Sequence, residues 1–551
     1  MKYKGLVLFL SLPSLLSCQL EGKKISRDLL IQDIRQLSHF IETVHPDPYI
    51  NGGGKIAYHR RLYHLLHSCP DEGLDKAEFY RLLRPFIAKI GDSHTWLRDP
   101  YIFNYKSPGG IPLFFRVVEE NVYVAAVAEE KNKNLIGTIL VSVEGVPWQE
   151  IVRRQKERIG SENVYQILRN LANLGVLYQR NFLEHLIPEW KDKNKIEVRL
   201  KFPDGMEKDY SLKIPRTVSY PLIKPSSKFE LPSRERCDFV YEFLDDEKKT
   251  ALLVVDSMQG YREVFEWMKN VGRQDFFDSA KDVYERYHNT SAPKNGDDVI
   301  AGLPSATELF RELVKEMKAA NTTKLIIDLR RNEGGASSMV DFLLYFLYGK
   351  DVLLSLKQEL SQVTKLSEEY FIRHPGISLD SLNKNRLVSL ETNDYDFSQD
   401  FYNLSHQSVD GLKNIQREYE SELEKMPTFF SEYRSEDFNN FYRPKQVLVI
   451  SSCETFSSGF TMLQYLYRAG AKIVGTPSAQ AANSFGNIMS FELNNSGLTG
   501  TVSFAQYTYF HDDPEKGHVL KPDYPLTYEK LASSGFDLNA EVLYALEIQR
   551  D

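Results

Sequence analysis

Cysteine is scarce in this chain. The 551 residues include four cysteines, Cys18, Cys69, Cys237 and Cys453. Such wide spacing provides neither a disulfide framework nor the ligand spacing of a metal site. Cys453 lies close to Ser457, so a thiol nucleophile has to be considered, but a position just past an apolar segment favours a buried structural cysteine. We therefore expect no metal site.

An excess of positive charge is also missing. Lys and Arg together number 68 and Asp and Glu 76, which gives a net charge of -8. Proteins that bind nucleic acids neutralise many phosphates with a patch or stripe of basic side chains. This composition indicates no such stripe, so we expect no nucleic-acid partner.

Long apolar runs are absent after the N-terminus, although a membrane-spanning helix needs about 18 such residues or more. The N-terminus has Lys2 and Lys4, an apolar run over residues 5–16 and then Ser17 and Cys18, an order typical of a secretory signal. Its end resembles a bacterial lipobox, in which the cysteine receives a lipid. We expect residues 1–17 to be removed and Cys18 to anchor an exported lipoprotein at the outer membrane, on its periplasmic or surface face. The alternative is a plain signal peptide that ends near a cysteine.

The length exceeds what one hydrophobic core supports, so several domains are expected. Hydrophobic residues at 42% and charged residues at 26% are typical of globular proteins. The patterns predict an N-terminal helical domain at 18–100, a β-rich module at 101–216, a polar linker at 217–236 and an α/β domain at 237–551 with a polar and aromatic insertion at about 360–440. The order of strands in the β-rich module resembles a PDZ-like domain, although a helical stretch over residues 165–190 interrupts it.

Short apolar strands alternate with helical segments in the last domain. Such strands with helical crossovers predict a sheet that is covered on both faces, the α/β arrangement. The predicted strands are 252–255, 325–327, 447–450 and 473–474, and the predicted helices are 306–320, 338–348 and 459–468.

Three segments carry residues suited to chemistry. His94 follows a helical segment, paired glycines at 334 and 335 follow an apolar strand, and Ser457 lies where a strand gives way to a helix. Glycines let a substrate carbonyl approach the backbone closely, and N–H groups at a helix start can stabilise an oxyanion. Each segment also has a structural alternative: a buried histidine, an ordinary turn, and a helix N-cap at Thr455, Ser457 or Ser458.

Taken together, the segments resemble the tail-specific or C-terminal processing peptidase family, including its tricorn-core branch. The family has, in this order, Gly-Asp-x-His-Thr, Asp-x-Arg-x-Asn-x-Gly-Gly and Thr-x-Ser-Ser/Ala-Gly/Ala. These correspond to residues 91–95, 328–335 and 455–459. The resemblance covers most of residues 26–551 and implies a ClpP/crotonase-like α/β peptidase core.

The resemblance assigns a role to each matching residue. Ser457 falls on the nucleophile, His94 on the general base, and the N–H groups of Gly335 and Ser458 on the oxyanion hole. Ser93 falls on the residue that couples the histidine to an acidic partner. A serine hydroxyl needs such a base, and the base needs an orienting group, because the hydroxyl alone is a weak nucleophile at neutral pH.

The acidic partner is expected downstream of Ser457, with Glu515 as the choice and Asp513 and Asp523 as competitors. Relatives that use a serine–lysine dyad carry a lysine about 25 residues after the nucleophile. No lysine occurs over residues 475–484, and the nearest, Lys472, lies in a predicted strand. Phe460 also departs from the family, where many members have glutamate.

These roles predict a serine-type endopeptidase that hydrolyses peptide bonds of polypeptides in the cell envelope through an acyl-enzyme, without a metal or organic cofactor. A catalytically inactive binding lipoprotein on the same fold is the alternative, since the family includes a retinoid carrier and a fold does not determine function. An α/β-hydrolase esterase is less compatible, because its G-x-S-x-G elbow lacks the first glycine here and His94 precedes Ser457.

Overall fold

The computed structural model describes residues 24–100, 109–190, 193–216, 222–273, 275–374, 376–384, 386, 388–407, 411–435 and 441–549. The predicted signal peptide and lipid-bearing Cys18 lie outside these residues. Within them, no helix combines the length and the apolar character that crossing a membrane requires.

The N-terminal region is a small helical unit that leads into the histidine segment. Its elements are α1 (Arg27–Val44), α2 (Gly54–His67), α3 (Lys76–Ala88) and the short strand β1 (Trp96–Leu97). Helix α3 begins with a capping box between Asp75 and Glu78, which satisfies two of the free N–H groups at its start. Its buried face packs on α1, so the chain leaves α3 in a defined direction toward residues 90–97.

The second region is an antiparallel sheet with helices on one side. Its strands are joined in the order β2-β3-β4-β6-β7, with β5 paired to β4. In chain order the elements are β2 (Leu113–Val118), β3 (Asn121–Val127), β4 (Ile139–Val143), β5 (Val146–Pro147), α4 (Trp148–Lys156), α5 (Val164–Ala172), α6 (Arg180–Leu186), β6 (Lys195–Lys201) and β7 (Glu207–Lys213). The predicted helical interruption is therefore present as α5, α6 and two short 3-10 turns.

The third region is built on a six-stranded, mostly parallel sheet of order β17-β14-β13-β10-β9-β8. Its first half comprises β8 (Phe239–Phe243), β9 (Thr250–Val255), α7 (Arg262–Asn270), α8 (Phe276–His288), α9 (Gly296–Ala301), α10 (Ala306–Ala320), β10 (Lys324–Asp328), α11 (Ser338–Tyr348) and α12 (Lys350–Gln358). The predicted helices at 306–320 and 338–348 are confirmed at both ends.

The predicted insertion is part of the fold. It contributes β11 (Ser361–Lys365), α13 (Glu368–Arg373), α14 (Leu379–Asn383), β12 (Tyr395–Asp396), α15 (Phe401–Gln407), α16 (Gly411–Leu423) and α17 (Pro427–Ser435). Strand β11 pairs with β12, and Phe429 and Tyr433 of α17 lie fully inside the main core. Apolar side chains at helical spacing explain this packing, which the polar composition of the segment obscured.

The chain ends with β13 (Gln446–Ser451), α18 (Ser458–Arg468), β14 (Lys472–Gly475), β15 (Ser484–Glu492), β16 (Thr499–Thr508), α19 (Pro514–His518), β17 (Tyr524–Pro525), α20 (Tyr528–Ser533) and α21 (Ala540–Glu547). Strands β15 and β16 join β1, β11 and β12 in a second sheet. The parallel sheet packs on α10, α11 and α18 on one face and on α21 on the other, as the apolar strands predict.

Candidate active site

Ser457 lies at the turn between β13 and α18. Its backbone has φ 52° and ψ -124°, a conformation that costs a non-glycine residue about 1–3 kcal/mol and that clusters at active sites. Ser457 occupies the N-cap position of α18, but its side chain makes no helix-capping hydrogen bond. Its N–H instead donates to Oε1 of Gln480 at 2.6 Å. The turn therefore leaves the hydroxyl group uncommitted to the helix.

The paired glycines lie against this turn because β10 and β13 are parallel neighbours, so their carboxyl ends meet at one edge of the sheet. Gly334 has φ 106°, and a Cβ atom there would come within 2.6 Å of the Ser457 Cβ. At Gly335, with φ 139°, a Cβ atom would lie 2.3 Å from the carbonyl oxygen of Met258. Both positions thus require glycine, for backbone conformation and for space.

The two predicted oxyanion donors are near each other. The Ser458 hydroxyl donates to the Gly335 carbonyl oxygen at 2.7 Å, which joins the two segments. In the described part of the chain, no hydrogen bond uses the N–H of Gly335 or of Ser458. Ser458 is also the first residue of α18, where the helix dipole favours negative charge. These N–H groups can stabilise a developing oxyanion.

His94 reaches the serine turn from the N-terminal region. Its ring stacks on Phe456, the residue before Ser457, with ring centroids 4.8 Å apart. Arg169 lies over the same Phe456 ring at 5.0 Å and pairs with Glu333 at 2.5 Å. Only 12% of the His94 side chain is exposed. Burial lowers the pKa of His94, with the Asp92 charge opposing and the Arg169 charge adding to the effect, so the ring is neutral at pH 7.

Asp92 holds the histidine segment in place. Its carboxylate accepts hydrogen bonds from the His94 N–H at 2.8 Å and the Ser503 hydroxyl at 2.7 Å. His45 Nε2 lies 3.3 Å from the same carboxylate. Burial alone would raise the pKa of Asp92, but the hydrogen bond of His45 and the electrostatic interaction with the His45 and His94 rings lower it to about 2. Asp92 is therefore an anion that fixes the loop.

The hydroxyl of Ser93 donates to Glu162 Oε2, and its N–H donates to Oε1 at 3.2 Å. Glu162 lies in the loop before α5, and this loop packs tightly: a Cβ atom at Gly160 would lie 2.3 Å from the Asp92 carbonyl oxygen. Burial, followed by the Asp92 charge, raises the pKa of Glu162 to about 8. The acidic partner of Ser93 thus comes from the second region of the chain.

This finding corrects the predicted acidic partner. Glu515 is exposed on the short helix α19, and no hydrogen bond joins it to Ser93 or His94 among the described residues. Asp513 caps the same helix by accepting the Lys516 N–H, and Asp523 pairs with Lys472 at 2.8 Å. All three carboxylates lie downstream of Ser457 as expected, but the packing of the loop at Gly160 places Glu162 on Ser93 instead.

Three contributors to the site were missed in the sequence. Glu162 and Arg169 carry no motif and become recognisable only through packing between regions. Gln480 lies in the 475–484 segment that contains no lysine, and its amide oxygen accepts a hydrogen bond from the Ser457 N–H, so a polar side chain in that segment is the signal for it. Phe460, the departure from the family pattern, is fully buried in the core and therefore acts in packing α18.

One group of possible metal ligands occurs among the described residues. It consists of Asp92, His94 and Glu162, whose ligand atoms lie within 4.8 Å of one another. Their carboxylate oxygens already accept hydrogen bonds from hydroxyl and N–H groups. The arrangement therefore fits a hydrogen-bonded relay better than a cation site.

Known proteins share this architecture. Residues 295–526 match the model of Peptidase family S41. The fold is similar to that of mature CPAF, with a TM-score of 0.54 at 14% identity over 95% of this chain and 96% of that chain. Mature CPAF complexed with lactacystin matches at a TM-score of 0.54 and 16% identity, over 94% and 98% of the two chains. For the photosystem II D1 C-terminal processing protease the TM-score is 0.37 at 12% identity, over 92% and 94%. No curated protein sequence matches the chain.

The matched range includes the Gly334–Gly335 turn and Ser457, while His94 and Glu162 lie before it. The likeness to mature CPAF extends over nearly the whole chain, so the regions that supply His94 and Glu162 belong to the shared fold. By these matches, residues 295–526 resemble peptidase family S41, a family of serine peptidases, and the chain as a whole has a fold similar to that of mature CPAF.

Proposed function

We propose that this protein is an active serine peptidase in which Ser457 is the nucleophile and His94 is its general base. The observation that carries the proposal is the stacking of the His94 ring on Phe456, directly beside the strained Ser457 turn. The ring thus packs on the residue that precedes Ser457, and its Nδ1 is buried without a hydrogen-bond partner; a serine hydroxyl is activated by a neutral imidazole that comes within hydrogen-bond reach.

The chemistry follows from these positions. The Ser457 Oγ forms a bond to the substrate carbonyl carbon, and His94 accepts the hydroxyl proton. The N–H groups of Gly335 and Ser458 donate to the resulting oxyanion. His94 then returns the proton to the leaving amine as the peptide C–N bond breaks. Water, deprotonated by His94, hydrolyses the acyl-enzyme and releases the serine.

Glu162 acts as a positioning residue through Ser93. Its carboxyl group holds both the N–H and the hydroxyl of Ser93, the residue before His94. With a pKa of about 8, Glu162 is mostly neutral at pH 7 and ionises as the pH rises. A carboxylate stabilises an imidazolium better than a neutral acid does, so kcat increases through about pH 8.

A comparison of Glu162→Gln with the wild type tests this role. We expect a lower kcat with an unchanged KM, and loss of the rise in kcat near pH 8. Ser93→Ala should behave in the same way, because it removes the connecting hydroxyl. A Glu162→Gln enzyme that keeps the wild-type pH profile would show that the carboxyl group has no part in the reaction.

Peptide-bond hydrolysis itself is tested with casein as the substrate and mass spectrometry of the new termini. We expect internal cleavage by the wild type and none by Ser457→Ala. Ser533→Ala, at an exposed helix end, is the matched control and should cleave normally. Absence of cleavage together with tight binding of a small apolar ligand would favour the binding-lipoprotein alternative.

The proposed location is the cell envelope, with a lipid on Cys18 as the anchor. The support is the sequence of residues 2–18, with two lysines, an apolar run and a terminal Ser-Cys pair. Cys18→Ser should move the protein from the membrane fraction to the soluble fraction and abolish incorporation of labelled palmitate. Unchanged fractionation and no label in the wild type would contradict lipid attachment.

A further inference from the structure

A cleft lies between the helical unit and the second region. It has a volume of about 230 Å³, and it is rich in arginine, although the whole chain has a net charge of -8. Its ionisable lining residues include Arg81, Arg84, Asp99, Arg158, Arg180 and His185. A cleft that concentrates one sign of charge raises the local concentration of ions of the opposite sign.

Two of these arginines are held close together. Arg84 Nε donates to the carbonyl oxygen of Arg158 at 3.0 Å, which brings the two side chains into the same part of the cleft. Arg158 Nη2 donates to the His185 carbonyl oxygen at 2.7 Å. Its Nη1 is buried and has no hydrogen-bond partner, which is costly for a group that always carries charge. Burial, followed by the Arg84 and Arg154 charges, lowers the pKa of Arg158.

The carboxylates that the structure describes nearby form no ion pair with this group, although the charge of Glu157 acts on Arg158. Arg180 is paired with Glu184 at 2.7 Å, and the Asp99 carboxylate interacts with the Tyr80 hydroxyl. Among the described residues, no ion pair joins Arg81, Arg84 or Arg158 to a carboxylate. These three guanidinium groups therefore provide positive charge without an ion-paired carboxylate at one end of the cleft.

We propose that this cleft is an exosite that binds a carboxylate of the polypeptide substrate, either an acidic side chain or a chain terminus. Arginine is suited to the task because its planar fork donates two parallel hydrogen bonds to a carboxylate. The buried Nη1 of Arg158 supplies a donor that is already desolvated. The inference rests on the proposed peptidase function for the identity of its ligand.

The position of the cleft gives it a connection with the candidate active site. Arg84 is on α3, which leads into the His94 segment, and Arg158 follows α4, in the loop that supplies Glu162. A carboxylate bound between the two arginines would draw these elements together. Substrates with an acidic group should therefore be cleaved with a higher kcat/KM than neutral ones.

Binding is measured by calorimetry on the Ser457→Ala protein, so that the result does not depend on catalysis. The probes are a capped peptide with two glutamates, the same peptide with glutamines, and the glutamine peptide with a free C-terminal carboxylate. We expect at least one carboxylate probe to bind about tenfold more tightly than the capped glutamine peptide, as for a charged hydrogen bond. Preference between the two carboxylate probes identifies the source of the carboxylate.

Substitutions of residues that line the cleft provide a second test of carboxylate binding. Arg81→Gln and Arg158→Met should each weaken carboxylate binding about tenfold, whereas Arg35→Gln, at an exposed position on α1, should leave it unchanged. Arg81 is half-buried and makes no ion pair among the described residues, so its substitution preserves the fold even if Arg158→Met does not. Equal binding of all three probes, or wild-type binding by Arg81→Gln, would overturn the exosite. Failure of catalysis with intact carboxylate binding would instead refute only the peptidase proposal.

Discussion

Replacement of Glu162 by glutamine should change how protein stability depends on pH. The pKa of Glu162 rises from an ordinary value of 4.5 to about 8 in the folded chain. The folded chain therefore holds a proton between these pH values that the unfolded chain has lost. Unfolding releases this proton, so the free energy of unfolding decreases as pH rises through the window. Below about pH 4.5 both the folded and the unfolded chain hold this proton, so the free energy of unfolding no longer changes with pH because of Glu162.

The magnitude follows from the two pKa values. At about 1.4 kcal/mol per pH unit, ionisation of Glu162 opposes folding by up to roughly 4–5 kcal/mol above pH 8. Glutamine cannot ionise, so the difference in stability between Glu162→Gln and the wild type should shift in favour of the variant as the pH is raised. Any loss of a Ser93 hydrogen bond adds a constant that does not depend on pH. The slope of the free energy of unfolding against pH therefore reports the ionisation of Glu162 alone.

Urea denaturation followed by tryptophan fluorescence at pH 5, 6, 7 and 8 measures these slopes. Glu157→Gln is a suitable control, because Glu157 is exposed on the same loop and the replacement removes the same charge. We expect parallel slopes for the control and the wild type, and a shallower decrease for Glu162→Gln. Parallel slopes for all three proteins would refute the placement of Glu162 in a site that disfavours its charge.

Three further predictions concern the serine turn and its support. Ser457→Gly should be about 1 kcal/mol more stable than Ser457→Ala in urea, because glycine relieves the strain at φ 52°; equal stability would contradict strain. Gly334→Ala should fold with lowered stability and lose activity in a peptide-hydrolysis assay, since its Cβ atom would meet Ser457; full activity would be incompatible with the turn. Arg330→Met should lower the free energy of unfolding by about 3–5 kcal/mol, because Arg330 pairs with buried Asp328 and Glu541; a change under about 1 kcal/mol would contradict that pairing.

The parallel sheet could be predicted from the sequence because its strands are continuous apolar segments and its helices have one buried face. The helices at 306–320 and 338–348 were located to the residue. The sheet that contains β15 and β16 could not be predicted in this way. It joins β1, β11 and β16, which are far apart in the chain, and pairing of such strands has no local signature.

In the candidate site, too, residues in local motifs could be predicted, and residues placed by contacts between distant segments could not. Ser457, His94 and the glycine pair lie in short motifs at the ends of elements, so residue types and their order single them out as candidates. Glu162 lies in no motif, and its contact with Ser93 depends on how the loop at Gly160 packs over Asp92. The sequence favours Glu515 because of its place after Ser457 in the chain, but order in the chain does not determine distance in the fold.

The central claim is that Ser457 is a nucleophile activated by His94. Its most direct test is the rate at which a fluorophosphonate labels the mature protein, with the adduct mapped by mass spectrometry. We predict an adduct on Ser457, no adduct in Ser457→Ala, and labelling of His94→Ala slower by a factor of about 100 or more, in line with the contribution of a general base. An adduct on another residue, or equal labelling rates with and without His94, would contradict the claim.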